Sequence, residues 1–279
     1  MREIHVNQIS DAVAGLCVKA CVEAAADIRQ CMERGLDLEG VVGRRVLEDM
    51  LKNQEIAIKQ QLPICQDTGM AVVFIDIGQD VRVVGGELAR AVNAGVCKGY
   101  DEGYLRKSVV ADPARRVNTG DNTPAVIHYN IVPGDALKIT VCPKGFGSEN
   151  MSRLKMLVPA DGLAGVEDFV METIALADAN PCPPIVVGVG IGGTFEYAAG
   201  MAKRALLRKI GQSHDDPFWA EVEAKWLEKI NAMGIGPAGF GGRMTAMAVN
   251  INTFGTHIAG LPVAVNLGCH VNRHEEAVL

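Results

Sequence analysis

Apolar residues recur at helical spacing near the start of the chain. Between residues 8 and 34, Val13, Leu16, Cys17, Ala20, Cys21, Ala24 and Ile28 fall on one face, with Ser10 or Asp11 as the cap and Gly35 as the stop. This predicts one amphipathic helix. A second covers residues 38–59, where charges of both signs alternate with inward-facing Val41, Val46, Leu47, Met50 and Leu51. The period then changes. Residues 70–77 form a continuous, β-branched apolar run, the signature of a buried strand. Residues 85–99 read as a helix with Cys97 on its inner face. Runs 125–132 and 136–141 flank Pro133-Gly134-Asp135 as a hairpin signature. Helical patterns at 165–180, from about Thr194, and at 218–233 alternate with strand patterns at 185–191, 245–252 and 261–267. A hairpin excludes a purely parallel sheet. The expected fold is therefore mixed α/β (α+β), with a helical part over residues 1–60 followed by a mixed sheet with helices. With no internal repeat, low-complexity tail or clean linker, residues 1–279 read as one interwoven domain.

Composition narrows the function classes. The chain has 279 residues, enough to bury a sizeable core, and a net charge of −6. That charge argues against a nucleic-acid binder or a basic membrane-surface protein, so an anionic ligand would have to be met locally. Glycine supplies 31 residues, above the usual share, which implies many turns and close backbone approaches. No run of 18 apolar residues and no signal-peptide pattern is present, so a cytoplasmic protein is expected. Its eight cysteines would then be reduced, favouring metal, cluster or packing roles over disulfides.

Candidate chemistry centres on residues 61–74, QLPICQDTGMAVVF, which put Cys65 in a turn between a polar helix and the apolar run. Pro63 before the thiol and Asp67-Thr68-Gly69 after it fix a non-helical backbone with free N–H groups near the sulfur. A cysteine alone is more often a small buried hydrophobe. Here the arrangement recurs: Cys182 lies in Asn180-Pro181-Cys182-Pro183-Pro184, and Cys269 in the stretch 266–272, NLGCHVN. Their separations are far too long for a zinc ribbon or a ferredoxin run, and suit a site assembled by the whole fold. Cys142, directly after a strand, is a fourth candidate ligand. Cys17 and Cys21 share a helix face but alternate with Leu16 and Ala20, so they and Cys31 read as packing. Three thiolates on an iron–sulfur cluster leave one iron open, a Lewis acid able to hold a hydroxyl group and an adjacent carboxylate. That is the chemistry of hydrating or dehydrating a small hydroxy acid.

Other motifs bear on ligands. Loop 104–124 carries Arg106, Lys107, Arg115 and Arg116; the last two read as a solvated face, whereas an arginine folded inward would clamp a carboxylate in bidentate fashion. Residues 142–150, CPKGFGSEN, are not a Walker loop, yet successive N–H groups there can bind an anion. Residues 188–193, GVGIGG, match a dinucleotide fingerprint in form, but the place of its acidic partner is taken by a polar turn at 211–217. Close packing of strand on helix, or anion contact at the helix N-terminus, reads better. His257 precedes Cys269 by 12 residues, a hairpin-like distance that would return it to the cysteine's neighbourhood.

PICQDTG around Cys65, YLRKSVV with NTGDNTPA, PKGFGSEN, NPCPP followed by GVGIGGT-x-E, and LPVAVNLGCH together resemble the alpha subunit of class I, iron–sulfur-dependent fumarate hydratases. The L-tartrate dehydratase alpha subunit is similar. The resemblance covers nearly the whole chain in motif order. It implies a 4Fe–4S cluster on Cys65, Cys182 and Cys269, with one iron not ligated by cysteine, loops converging on that cluster, and reversible hydration of fumarate to (S)-malate. It matches Gln66 and Arg106 to substrate-binding residues, Gly147 to a backbone contact, and Asp67 and His257 to catalytic ones. One-chain members continue into a second domain, so a separate beta subunit is implied, assembled as an α2β2 heterotetramer acting on a small dicarboxylate. The alternatives are an L-tartrate dehydratase alpha subunit, an iron–sulfur electron carrier or redox sensor with a fourth ligand such as Cys142, and a dinucleotide or phosphate binder using residues 188–193.

Overall fold

The computed structural model describes residues 1–279. In chain order the elements are β1 (Arg2–His5), α1 (Val6–Val22), α2 (Ala26–Gly35), α3 (Val41–Gln60), β2 (Met70–Gly78), β3 (Val81–Val84), α4 (Leu88–Glu102), β4 (Val126–Val132), β5 (Leu137–Lys144), the short α5 (Phe146–Glu149), β6 (Arg153–Leu157), α6 (Gly162–Ala177), β7 (Ile185–Gly193), α7 (Phe195–Ala205), α8 (Pro217–Ala232), β8 (Ala246–Thr256), β9 (Leu261–Gly268) and β10 (Glu275–Val278). They gather into two compact units. Met1–Ala24, Asn53–Phe146 and Arg273–Leu279 form the first, and Ala25–Lys52 with Gly147–Asn272 the second. No helix is long and apolar enough to cross a membrane.

The single helix expected over residues 8–34 breaks in two. Glu23 leaves α1 in an extended conformation, with its N–H still bonded to the Lys19 carbonyl. The physical reason is burial. Val13, Leu16, Cys17 and Cys21 of α1 belong to the core of the first unit, whereas Ile28 and Met32 of α2 belong to a core of the second. The break between α1 and α2 falls where the chain passes from one unit to the other.

In the first unit, β2 is central: parallel to β4 on one side and antiparallel to β5 on the other, with β10 along the far edge of β5. The expected hairpin of residues 125–141 is thus corrected. Its turn exists, but its strands are held apart by β2. Val72, Val73, Phe74 and Ile75 are all buried, and a strand apolar on both faces belongs in the middle of a sheet. Helices α1 and α4 supply Val13, Leu16, Val92, Val96 and Tyr100 to the core against Val73, Ile75, Ile139 and Val141. Each fully buried aliphatic side chain here contributes about 1.5–3 kcal/mol.

The second unit repeats that strand order. β7 is central, parallel to β8 and antiparallel to β9, with β6 beyond β9. In both sheets the central strand comes before its two neighbours, a helical connection leads to its parallel neighbour, and a short turn then carries the chain across to the antiparallel one. The mixed α/β expectation holds. Trp226, Phe169, Val187, Val189, Ile251 and Val265 lie at the heart of this second core. The glycines of residues 188–193 have a packing role: a Cβ on Gly188 would lie 2.2 Å from the Ala202 carbonyl oxygen, and one on Gly190 2.1 Å from that of Ala198. They let α7 press directly onto β7, as the packing reading of that motif expected.

Candidate active site

In the first unit the Cys65 turn is tied down before it reaches the thiol. Ile64 donates its N–H to the Cys21 carbonyl (2.9 Å), and its own carbonyl accepts from Asn53 Nδ2 (2.8 Å). Cys65 is half-buried and its Sγ lies 3.5 Å from Gln66 Oε1, while Gln66 is exposed. Asp67 is held at both carboxylate oxygens by backbone donors, Gly69 N on Oδ1 (3.0 Å) and Phe146 N on Oδ2 (2.9 Å). Its carbonyl accepts from Arg273 Nη2 (2.7 Å). A carboxylate so placed keeps one orientation.

The floor of the turn is polar and buried. Tyr100 Oη lies 2.9 Å from the Thr68 carbonyl oxygen and 3.0 Å from that of Gly69, and donates to this pair. Cys21 points its thiol at the same Thr68 oxygen (3.8 Å); burial pushes this thiol up to about 11, with the Arg273 guanidinium pulling the other way. It therefore stays protonated near neutral pH. Burial raises the Cys17 thiol and the Tyr100 phenol as well. Gly145 covers the carboxylate: a Cβ there would lie 3.1 Å from Asp67 Oδ2 and 3.2 Å from Arg273 Nη2. Arg106 stands on the neighbouring loop, its side chain exposed and paired with no acidic group, while Lys107 is bound to Asp101 (2.7 Å). A free guanidinium of this kind suits a substrate carboxylate.

In the second unit Cys182 and Cys269 occupy the corresponding corner, at the start of the central strand and the end of its antiparallel neighbour. Cys182 is exposed and adopts a left-handed backbone (φ 56°), its N–H bonded to the Ala179 carbonyl. His270 N donates to the Cys182 carbonyl (3.2 Å), which ties the two thiol loops together. Asn272 N returns to the Cys269 carbonyl (3.0 Å), and Asn272 Nδ2 donates to Leu206 O (2.8 Å). Gly147 is exposed nearby, the direction of its absent Cβ 3.5 Å from the Asn180 carbonyl oxygen.

His257 is placed elsewhere. β9 runs the width of the sheet between it and Cys269: Val263 pairs with Ile191 at one end of β7, and Gly268 with Val186 at the other. The hairpin distance that was expected to return His257 to Cys269 is thus spent crossing the sheet. His257 instead rims an apolar pocket of about 370 Å³ with Ile191, Phe218, Trp219 and Leu261. Cys142 is also outside the loop set, buried within β5 opposite Val72.

No group of three or more His, Cys, Asp and Glu side chains forms a ready metal site. The donor chemistry nonetheless fits a thiolate-ligated cluster. Cys65, Cys182 and Cys269 are the three cysteines on loops at these two corners, whereas Cys17 and Cys21 are buried, protonated thiols. The buried cations Lys144 and Arg273, each 5% exposed, lie in the first unit beside the Cys65 turn and suit a centre carrying negative charge. Arg273, Tyr100, Thr68 and Asn122 went unnoticed as site residues in the sequence. Each acts through a backbone carbonyl or amide far away along the chain, and no local pattern marks such a partner.

A profile of the family described as fumarate hydratase (Fumerase) matches residues 10–278. A Methanocaldococcus jannaschii protein provisionally named L(+)-tartrate dehydratase subunit alpha is 42% identical over 274 residues, covering 95% of each chain. The L(+)-tartrate dehydratase subunit alpha of Escherichia coli strain UTI89 is 34% identical over 273 residues, 96% of this chain and 89% of that one. Its counterpart in Shigella sonnei is 33% identical over the same shares.

Proposed function

Because this chain belongs to the fumarate hydratase (Fumerase) family, we propose that it is the alpha subunit of a hydro-lyase that adds water reversibly to fumarate, giving (S)-malate. The observation that carries the reading is Asp67, a carboxylate locked by two backbone N–H groups two residues after a loop thiol. Cys65, Cys182 and Cys269 would hold a 4Fe–4S cluster, which when bound supplies a Lewis acid for the departing or arriving hydroxyl oxygen. Asp67 is the proton acceptor for the carbon next to the substrate carboxylate in dehydration, and its donor in hydration. Its fixed orientation means that no reorganisation precedes the transfer. Arg106 binds one substrate carboxylate through its fork of donors, Gln66 presents its amide to the polar end of the ligand, and Gly147 contributes a backbone N–H. His257, across the sheet from Cys269, is given no step within one chain.

The subunit-alpha names of the relatives support a beta subunit as partner, and the proposed assembly in which it completes the site is α2β2. The same names favour a second reading in which the substrate is L(+)-tartrate, dehydrated to oxaloacetate. Both substrates are four-carbon dicarboxylates and would use Asp67 and Arg106 alike. The test is an anaerobic assay of the chain co-expressed with its beta subunit. Loss of fumarate's ultraviolet absorbance with formation of malate supports the first reading. Oxaloacetate from tartrate with no turnover of fumarate supports the second. Turnover of neither, in protein that has retained its iron, would overturn the hydro-lyase assignment.

A further inference from the structure

The two loops to which the proposed chemistry is assigned are not joined by their own side chains. They are joined by two buried residues beside them. Thr68 is 1% exposed and donates its hydroxyl to the Arg106 carbonyl (3.0 Å). Asn122 is fully buried. Its Oδ1 accepts from Ser108 N (2.7 Å) and Val109 N (3.2 Å), just after Arg106, while its Nδ2 donates to the Gly69 carbonyl (3.2 Å), just after Thr68. Thr68 bonds the segment of Arg106 directly, and Asn122 holds that segment on one side and Gly69 on the other, so the pair forms a two-point brace. Asn122 adopts a left-handed backbone (φ 62°), which an asparagine tolerates better than a branched residue would.

We propose that Thr68 and Asn122 are positioning residues that set the distance between Asp67 and Arg106, and thereby the length of dicarboxylate that spans them. The proposal rests on the reading of Arg106 and Asp67 given above. Arg106 is on an exposed loop, and its backbone is fixed on the inner side through these bonds. Without the Thr68 hydroxyl, the Arg106 carbonyl loses its donor and the guanidinium drifts relative to the Asp67 carboxylate. A carboxylate clamp binds ground state and transition state alike, so its displacement appears in KM. Asn122 also holds the carbonyl of Gly69, and the N–H of the same residue holds Asp67 Oδ1, so disturbing Asn122 reaches the proton-transfer group too.

The experiment compares Thr68→Val, Thr68→Ser, Asn122→Asp and Arg106→Ala in the assembled enzyme, with iron content measured for each. Thr68→Val keeps the shape and removes the donor; KM is expected to rise about tenfold, the effect of one hydrogen bond, with kcat within about threefold. Thr68→Ser restores the hydroxyl and should restore KM to near its original value. Asn122→Asp keeps the acceptor and loses the donor, so kcat falls along with the rise in KM. Amide hydrogen exchange at Ser108 and Val109 should quicken in an Asn122→Ala variant. A lowered melting temperature in Thr68→Val with KM unmoved would overturn the positioning role. So would equal KM values in Thr68→Val and Thr68→Ser. If instead Arg106→Ala keeps its original KM, the assignment of Arg106 itself fails.

Discussion

At the scale of a single residue, the proposed chemistry concentrates on Asp67. Asp67→Asn has one acceptor oxygen, so it serves either the Gly69 or the Phe146 N–H and turns its NH2 toward the other, and it cannot take a proton. A fall in kcat of about 10²–10⁴ with the circular dichroism spectrum and iron content unchanged is expected; unchanged kcat would remove Asp67 from proton transfer. Cys17 gives a prediction about pH. Burial holds its thiol above the ordinary value of 9.0, so the folded chain keeps this proton when the unfolded chain has released it. Its contribution to stability is therefore complete below about pH 9 and declines as pH rises, by up to about 1.4 kcal/mol per pH unit. Cys17→Ala should flatten the alkaline limb of a plot of urea midpoint against pH. The thiols themselves were legible in the sequence because proline, glycine and asparagine around Cys65, Cys182 and Cys269 announce irregular backbone. Arg273 and Asn122 were not, since their partners lie 206 and 53 residues away.

Elements were more legible than their pairings. The apolar run of β2 and the glycine-rich run of β7 read as buried strands, and they are. What the pattern could not disclose was that each inserts between two later strands joined by a short turn, because hydropathy records the burial of a strand and says nothing of its neighbours. The same limit applies to His257, whose spacing from Cys269 measures chain length and leaves direction unknown. The element scale also separates packing from ligand binding at residues 188–193. Gly190→Ala would drive a methyl group into the Ala198 carbonyl, and about 1–3 kcal/mol of destabilisation by chemical denaturation is expected, with no NADH affinity in either protein. Measurable NADH binding that Gly190→Ala abolishes would reverse this view.

Across the whole molecule, the chain passes repeatedly between two units, which is why no linker shows in the sequence: each unit is completed by stretches remote from one another. The proposed cluster ligands are divided accordingly, Cys65 in the first unit and Cys182 with Cys269 in the second. Anaerobically prepared Cys65→Ala, Cys182→Ala and Cys269→Ala proteins should each lose iron and acid-labile sulfide, and Cys142→Ala should retain about four irons per chain. Equal dependence on Cys142 would contradict the three-thiol set.

The common strand order of the two sheets gives that division a further meaning. A perfectly duplicated architecture would offer two equal corners, each with one cysteine before the central strand and one after its antiparallel neighbour, hence four thiols in all. The second unit meets that pattern with Cys182 and Cys269. In the first, Cys65 matches Cys182, but the position after β5 is held by Gly145, fitted over the Asp67 carboxylate. On the reading proposed here, broken symmetry at one corner is what would separate a catalyst from an electron carrier: the residue matching Cys269 is a glycine, which cannot ligate iron.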